Sequence, residues 1–286
     1  MNRYYIFFIA IAFAFTSCQK VETTIDEEQS DKTIVEQQFT DTLSVSFKLP
    51  SIVSSDRFQL MIEYDEQNRI SKTREEIFND DGKTVGYWVN QSIIYDEDKS
   101  KIIVKFQHTT SDTPDNSTTY YIKGNQITQD MSGSIFTRTI DVNSDGQPVR
   151  YSLYWPDNDK IMQNTTLFEY RNGNLITQTI KQYDNMSNSF INFTFTNTHD
   201  NNKTPFYHCA TPKWLYGELQ FSWLYRMCFN HNNELTQHYY ENGNLITSEY
   251  TYDDAGFPMT QTKMITIVNK DIRNHIETFK FTYIKK

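Results

Sequence analysis

The fold is decided by a stretch that occurs twice, Tyr170-Arg171-Asn172-Gly173-Asn174-Leu175-Ile176-Thr177 and Tyr240-Glu241-Asn242-Gly243-Asn244-Leu245-Ile246-Thr247. In both copies an Asn-Gly pair stands between residues that favour strands. Asn-Gly supplies the two positive φ angles of a type I′ turn, whose twist matches that of two antiparallel strands. The repeated stretch therefore predicts two tight β-hairpins.

Looser versions of this turn recur along the chain. In each the strand ends on an aromatic or aliphatic residue and an Asp or Asn can bond its own turn amides, and all but residues 95–99 offer Gly or Asn for a left-handed position. They occur at residues 64–70, 78–83, 95–99, 121–127, 141–147 and 252–258, and two less regular turns are expected at residues 200–203 and 230–234. Hairpins joined in sequence make an antiparallel meander, and about ten turns imply on the order of sixteen to twenty strands.

Between the turns, apolar and polar residues alternate, which is typical of strands with one buried face. Phe279, Phe281 and Tyr283 alternate with Lys280 and Thr282, and no long stretch has helical periodicity. Because an open sheet of this size curls or splits, the sequence predicts an all-β fold, an antiparallel hairpin meander forming a strongly curved or partly closed barrel-like sheet. We expect Tyr, Phe and Ile to face inward and Thr, Asn, Gln and Lys to face water.

The composition excludes several classes of protein. The 286 residues carry 27 Lys and Arg against 36 Asp and Glu, a net charge of −9, so the chain lacks the basic surface of a nucleic-acid-binding protein. With 15% aromatic residues the chain is too aromatic for a disordered protein, and a mean hydropathy of −0.66 is too low for a multi-span helical membrane protein. We expect no nucleic-acid partner.

The N-terminus has the pattern of a lipoprotein signal peptide. Arg3 provides the positive start, and the apolar run of residues 4–15 leads into Phe15-Thr16-Ser17-Cys18. A small residue before a cysteine resembles the lipobox of bacterial lipoproteins, in which the cysteine is acylated and becomes the first residue, although Phe15 stands where Leu is usual. The alternative is an ordinary secretory signal cut near Ser17, which leaves Cys18 as a free thiol.

These features divide the chain into three parts. Residues 1–17 are the expected signal peptide, residues 18–42 the lipidated cysteine with a flexible acidic tether, and residues 43–286 a single all-β domain. Asp41-Thr42-Leu43 resembles the O-glycosylation site of exported bacteroidete proteins, with Thr42 as the acceptor. The acidic tether resembles export signals for the cell surface, so we expect an outer-membrane lipoprotein on the cell surface or the periplasmic face.

Two cysteines remain once Cys18 carries lipid. An even pair in an oxidising compartment favours a disulfide between Cys209 and Cys228. Free thiols are the second interpretation. The third is a zinc site, because His208 adjoins one cysteine and His231 follows the other at C-x-x-H spacing. Only Cys228 and His231 have the spacing of metal ligands, whereas Cys209 and His208 do not, so we expect no metal.

The chain also resembles a known family. Tyr250-Thr251-Tyr252-Asp253-Asp254-Ala255-Gly256 is similar to the YD repeat of secreted shell-forming and cell-surface proteins, and residues 64–70 match it in part. Together with the lipobox and the acidic tether, these degenerate hairpins resemble an uncharacterised family of bacteroidete lipoproteins described as having a porin-like fold. The resemblance implies that fold for most of the chain after the tether, and it brings no activity, cofactor or catalytic residue. The outward faces are too polar for a transmembrane barrel.

The carboxylates and one turn are candidates for chemistry. Glycoside hydrolysis needs two carboxylates about 5 to 10 Å apart, and the available acids are Glu63, Glu75, Glu76, Glu169, Glu218 and Glu249. Asp141-Val142-Asn143-Ser144-Asp145-Gly146 reproduces the first half of an EF-hand loop, but Ser152 stands where the bidentate acid is due, and a hairpin turn explains the same residues. We expect no catalytic residue, no metal and no cofactor.

The most distinctive stretch is residues 204–229, which interrupts the hairpins with Pro205, Pro212 and many aromatic residues. Exposed aromatic rings beside polar residues can stack on sugars. The candidate ligand-binding residues are Trp155, Trp214, Trp223 and Tyr216. The alternative, which we favour, is that these rings plug the open end of the curved sheet.

The sequence therefore favours a non-enzymatic envelope protein, held at the membrane by an N-terminal lipid anchor, that binds a glycan or another envelope protein. A polysaccharide hydrolase that uses a Glu/Asp pair and a purely structural envelope protein are the alternatives.

Overall fold

The computed structural model describes residues 47–80, 82–96, 100–109, 116–131, 137–154, 162–184, 189–219, 225–267 and 272–285. The predicted signal peptide, lipidated Cys18, tether and Thr42 lie outside the described residues, as do Trp155 and Trp223.

Sixteen antiparallel strands close into one barrel in this described part of the chain. Each strand pairs with its sequence neighbours, and the first pairs with the last to complete the ring. The strands are β1 (Lys48–Ser54), β2 (Phe58–Tyr64), β3 (Ile70–Phe78), β4 (Val85–Tyr95), β5 (Lys101–His108), β6 (Asn116–Lys123), β7 (Gln126–Met131), β8 (Thr137–Val142), β9 (Pro148–Tyr154), β10 (Met162–Arg171), β11 (Asn174–Asp184), β12 (Ser189–Lys203), β13 (Asn232–Tyr239), β14 (Leu245–Tyr252), β15 (Pro258–Ile267) and β16 (Ile272–Lys285). The expected all-β meander is confirmed, and its sheet is fully closed.

Short turns with side-chain caps join many of these strands. In the β2–β3 turn, Asp65 Oδ1 accepts the backbone amides of Gln67 and Arg69, each at 2.9 Å. Asn143 and Asp253 play the same part in the β8–β9 and β14–β15 turns. In all three turns the residue three positions later is left-handed, with φ between 61° and 77°. The half EF-hand stretch is therefore a hairpin turn whose Asn143 oxygen is already bonded to backbone amides.

The two Asn-Gly copies do not fold alike. Asn172 and Gly173 have φ of 52° and 74°, as a type I′ turn requires. In the second copy Gly243 has a φ of 68° but Asn242 is not left-handed. Asn242 Oδ1 instead accepts the amide of Asn244 at 2.9 Å. The type I′ prediction is wrong at this second turn, where only Gly243 is left-handed and the Asn242 side chain bonds the backbone two residues on.

The inward face of the barrel is partly apolar and partly polar. Phe279 and Phe281 are buried, while Lys280 and Thr282, which alternate with them, are exposed, as predicted. However, five glutamines are also buried on strands β4, β7, β11, β13 and β15: Gln91, Gln129, Gln178, Gln237 and Gln261. The expectation that glutamine faces water is therefore wrong at these positions. A ring of sixteen strands is too wide for short apolar side chains to fill. Inward amides can instead bond polar groups of the neighbouring strand, as Gln261 Nε2 does to Ser248 Oγ at 3.1 Å.

The connection between β12 and β13, described at residues 204–219 and 225–231, packs against the inside of the barrel wall and is called the plug below. It contains a 3₁₀ helix at Lys213–Gly217 and the short helix α1 at Tyr225–Phe229. The antiparallel order places it at the same end as the β2–β3, β4–β5, β6–β7, β8–β9, β10–β11 and β14–β15 turns, which we call the plugged end. None of the helices in the described ranges is long and apolar enough to span a membrane.

The plug and the barrel wall share one hydrophobic core. The buried plug residues are Phe206, Trp214, Leu215, Tyr216, Leu219, Met227, Cys228 and Phe229. The same cluster contains inward residues of β1 to β8, β10, β11 and β16, among them Val53, Ile70 and Phe279. Burial of apolar area is the main stabilising term in folding. The plug and the plugged end of the ring therefore stabilise each other, because each buries apolar side chains of the other.

Candidate functional site

Trp214 and Tyr216, two of the candidate ligand-binding residues, lie inside the barrel. They expose 3% and 1% of their surface. The Trp214 ring packs against Tyr120 of β6 with centroids 5.3 Å apart, and Tyr216 packs against Phe206 at 5.5 Å. The structure therefore places both rings in the plug, as the alternative interpretation expected. Enclosed rings have no free face for a sugar, which corrects their assignment as ligand-binding residues.

Cys209 and Cys228 are free cysteines, which corrects the expected disulfide. The Cys209 thiol lies 3.5 Å from the carbonyl oxygen of Asn68 and 3.3 Å from Thr211 Oγ1. Cys228 is buried in the hydrophobic core of the plug. Burial raises the pKa of both thiols. The even cysteine count favoured a bond, but Cys209 is instead a half-buried thiol beside two oxygens, and Cys228 is a small buried side chain in the core.

The two histidines beside these cysteines have packing roles. The His208 ring lies 4.9 Å from the Phe47 ring and 5.5 Å from that of Phe257. The His231 ring lies directly over the backbone of Gly173. Burial lowers the pKa of both histidines. Among the residues that the structure describes, no group of three or more His, Cys, Asp and Glu side chains is arranged to hold a metal ion.

Backbone hydrogen bonds tie the plug to the turns of the plugged end. Three plug amides donate to turn carbonyls: Ala210 N to Asn68 O at 3.0 Å, Trp214 N to Gly146 O at 3.1 Å, and His231 N to Gly173 O at 3.2 Å. All three carbonyls belong to residues with left-handed φ. The left-handed conformation that closes each of these hairpins therefore also places a backbone carbonyl where it accepts a hydrogen bond from the plug.

Two buried amides complete this attachment. Gln147, in the β8–β9 turn, donates to the carbonyls of Gly173 at 2.9 Å and Phe229 at 2.7 Å. Asn230, in the plug, accepts the amide of Leu175 at 2.7 Å. Buried backbone groups need such partners, so the plug occupies a specific position in the barrel.

A buried ion pair lies where the 3₁₀ helix ends. Glu218 Oε2 accepts from Arg138 Nη1 of β8 at 2.9 Å and from the Tyr120 hydroxyl at 3.1 Å. The Glu218 side chain is 2% exposed, whereas that of Arg138 is 31% exposed. Burial raises the pKa of Glu218, although Arg138 and the Tyr120 hydroxyl oppose that shift. This carboxylate is therefore held inside the barrel by one partly exposed cation.

The other acids considered for hydrolysis are dispersed. Glu63 pairs with Lys72 at 3.2 Å, and both side chains are more than half exposed. Glu76 pairs with Arg74 at 2.7 Å. Glu75 is buried on the inward face of β3, while Glu169 and Glu249 are exposed on β10 and β14. Apart from the buried Glu75, these acids are exposed or ion-paired, as is typical of charged surface side chains.

A pocket of about 290 Å³ lies at the plugged end, between the barrel wall and the plug. Its polar lining comes from Gln67, Arg69, Asp96 and Lys101, and its apolar lining includes Tyr95, Ile102 and Ile122. Ala210 and Pro212 of the plug form the opposite wall.

Charged groups at the pocket are arranged in pairs. The Arg69 guanidinium lies 3.9 Å from the centroid of the Tyr95 ring and bonds Asp65 Oδ2 through Nε at 2.7 Å. Lys101 Nζ lies 3.5 Å from Asp96 Oδ2. The Tyr95 hydroxyl donates to the carbonyl of Ile70 at 2.9 Å, which fixes the ring.

Sequence reasoning missed this pocket. Tyr95, Asp96 and Ile122 were recognised only as parts of two turns, and their meeting point depends on strands β3 to β6 and on the plug together. The turn motif at residues 64–70 and 95–99 was the available signal. It locates the two turns in the chain and leaves open what lies between them.

No protein-family model and no curated protein matches this sequence. Among solved structures, the chain is similar to a porin-like protein from Bacteroides uniformis, with a TM-score of 0.52 and 14% identity over 83% of this chain and 95% of that one. It also matches a porin-like protein from Bacteroides vulgatus with a TM-score of 0.37 and 11% identity, over 83% of this chain and 99% of that one. The first of these likenesses shows that the chain has a porin-like barrel fold.

Proposed function

We propose that this protein is a lipid-anchored, non-enzymatic binding module of the bacterial envelope, an outer-membrane lipoprotein on the cell surface or the periplasmic face. Its partner is a glycan or another envelope protein. The observation that carries the proposal is the plug, because a barrel whose own chain shares its core at one end is a scaffold for binding rather than a channel. The porin-like barrel of a Bacteroides protein supports an envelope setting.

The outward face of the barrel supports attachment by lipid rather than by insertion. Exposed charged residues occur on eight strands around the ring: Glu63, Lys72, Lys105, Asp130, Glu169, Lys181, Glu249 and Lys280. A charged side chain facing lipid near the bilayer midplane costs about 2–4 kcal/mol for Lys or Arg. A barrel with this surface is stable in water, so a separate anchor such as acylated Cys18 would hold it at the membrane.

Conductance measurements test the claim that the barrel is a scaffold rather than a channel. The full chain, purified in detergent, is added to planar lipid bilayers. We expect no conductance steps beyond those of detergent alone, because the plug is bonded to three turns of the ring. Regular ion-conducting steps would contradict a binding scaffold and favour a pore.

Cell fractionation tests the anchor. Cys18→Ala removes the acylated thiol, and we expect the protein to leave the membrane fraction. Cys209→Ala is the matched control, because this thiol lies in the plug, and it should remain with the membrane. Membrane association of the Cys18→Ala variant equal to that of the unaltered protein would refute the lipid anchor.

Ligand screening tests the binding role. The full chain in detergent is titrated against an array of host and dietary glycans, and its neighbours in intact cells are identified by cross-linking. We expect a saturable glycan ligand or a reproducible envelope protein in contact with the barrel. If both experiments return nothing, the protein is not a binding module.

A further inference from the structure

We propose that the pocket between Arg69, Tyr95, Lys101 and the plug is a binding site for a short neutral saccharide of one or two rings. This inference rests on the proposed binding function and names the ligand class and the residues. The pocket lies at the plugged end, and neither Trp214 nor Tyr216 is among its lining residues.

The lining has the two surfaces that a sugar needs. Tyr95, Ile102 and Ile122 provide apolar area for the C–H faces of a sugar ring. Gln67, Arg69, Asp96 and Lys101 provide an amide, a guanidinium, a carboxylate and an ammonium group beside it. Between them these groups donate to and accept from hydroxyls, which are both donors and acceptors.

Charge balance favours a neutral ligand. Arg69 is paired with Asp65 and Lys101 with Asp96, so the two cations at the pocket are matched by two nearby carboxylates. A fixed anion or cation in the ligand would gain attraction from one member of a pair and repulsion from the other. Hydroxyl groups can bond both members, which gives a neutral polyhydroxylated ligand the advantage.

The size of the pocket limits the ligand. About 290 Å³ lies at the lower end of small-molecule sites, which are roughly 300–1,000 Å³. One or two sugar rings fit this space, and a longer chain would have to extend from the pocket into solvent.

The walls of the pocket are held in place before a ligand arrives. On the plug side, Ala210 N donates to Asn68 O at 3.0 Å, and Thr211 Oγ1 accepts the amide of Ile70 at 2.7 Å. On the barrel side, Arg69 is fixed by Asp65 and by the face of the Tyr95 ring. A site that is formed in advance loses less free energy on binding than one that must be ordered.

Saturation-transfer NMR on the full chain in detergent tests the site, with maltose, cellobiose, lactose and N-acetylglucosamine as neutral probes and galacturonate and glucosamine as charged ones. Ala210→Trp should fill the pocket from the plug wall, and the double variant Gln67→Ala with Lys101→Ala should remove two polar partners. Lys123→Ala is the control, because this exposed lysine lies at the same end of the barrel and does not line the pocket. Thermal unfolding of each variant checks that it is folded.

We expect a neutral sugar to bind and both pocket variants to raise its Kd about tenfold or more, while Lys123→Ala leaves it unchanged. If a sugar binds equally well to the folded pocket variants, the pocket is not its site, although the proposed binding function stands. If only a charged probe depends on the pocket, the ligand class is wrong. If no probe binds, this inference is overturned, and cross-linking in cells decides the proposed function separately.

Discussion

At the scale of single residues, left-handed turn positions link the hairpins to the plug. Asn68, Gly146 and Gly173 each adopt positive φ, and each gives its carbonyl to an amide of the plug. Glycine is favoured here because a Cβ clashes with the backbone in this conformation, at about 1–2 kcal/mol per residue. Gly173 has a further requirement, since the His231 ring lies where a Cβ would be placed.

Alanine substitutions at two glycines separate the cost of the left-handed φ from the cost of the contact with His231. Gly124→Ala should cost about 1 kcal/mol of unfolding free energy, because its φ is 58° but nothing lies within 4 Å of an added Cβ. Gly173→Ala, at φ 74°, should cost about 1–3 kcal/mol more, because the His231 ring must move. Urea denaturation measures both changes, and equal losses would show that the His231 contact does not matter.

Tyrosine hydroxyls connect neighbouring strands at the plugged end. Tyr64 donates to the carbonyl of Pro50 at 2.7 Å, and Tyr283 donates to that of Pro258 at 2.7 Å. Tyr64→Phe leaves a half-buried carbonyl without its donor and should lower the free energy of unfolding by about 1 kcal/mol. Tyr121→Phe, which alters an exposed ring, should change it by less than half as much. Equal effects in urea denaturation would contradict this role of the hydroxyl.

At the scale of elements, the plug places a carboxylate in the barrel interior. Burial raises the pKa of Glu218 above its ordinary value of 4.5, so the folded protein binds this proton more tightly than the unfolded chain does. The contribution of Glu218 to stability is therefore largest below pH 4.5, and it declines as the pH rises toward the raised pKa of the folded state.

Glu218→Gln should remove this pH dependence, because the amide does not titrate. We expect the unfolding free energy of the unaltered protein minus that of the variant to fall as the pH increases above about 4.5. Urea denaturation between acidic and neutral pH provides the measurement. Glu169→Gln, at an exposed position, is the control for the change of carboxylate to amide itself. A difference that rises with pH would mean that Arg138 outweighs burial.

At the scale of the whole molecule, stability depends on closing the ring. Val53 of β1 pairs with Phe281 of β16, and both side chains are buried. Closure removes the two free edges that an open sheet of this length would present to other chains.

Two truncations test the pairing of β1 with β16, the seam that closes the ring. Deleting residues 1–46 keeps all sixteen strands of the described barrel and should leave a monomer that unfolds in one cooperative transition. Deleting residues 1–56 removes β1 and exposes β2 and β16 as unpaired edges, so we expect aggregation. Size-exclusion chromatography compares them. A soluble, monomeric product of the longer deletion would show that the seam is dispensable.

Local chemistry made much of the fold predictable. Asp65 and Asn143 cap turns through their own side chains, and the Asn172-Gly173 pair adopts the expected type I′ turn. The alternation of Phe279 and Phe281 with polar residues correctly predicts the buried face of β16. These features depend on interactions within a few residues, which is why the hairpin meander and its strand number follow from the sequence.

Other features depend on contacts between distant parts of the chain. The pairing of β1 with β16, the burial of Gln91 and Gln261, and the enclosure of Trp214 depend on the width of the closed ring and on what fills it. The pocket at Tyr95 likewise requires several strands and the plug at once. Turn and strand chemistry is local, so the sequence sufficed for the hairpins. Closure of the ring, placement of the plug and formation of the pocket each require several distant segments at once. The free energy that stabilises them comes from surfaces that meet only in the folded barrel.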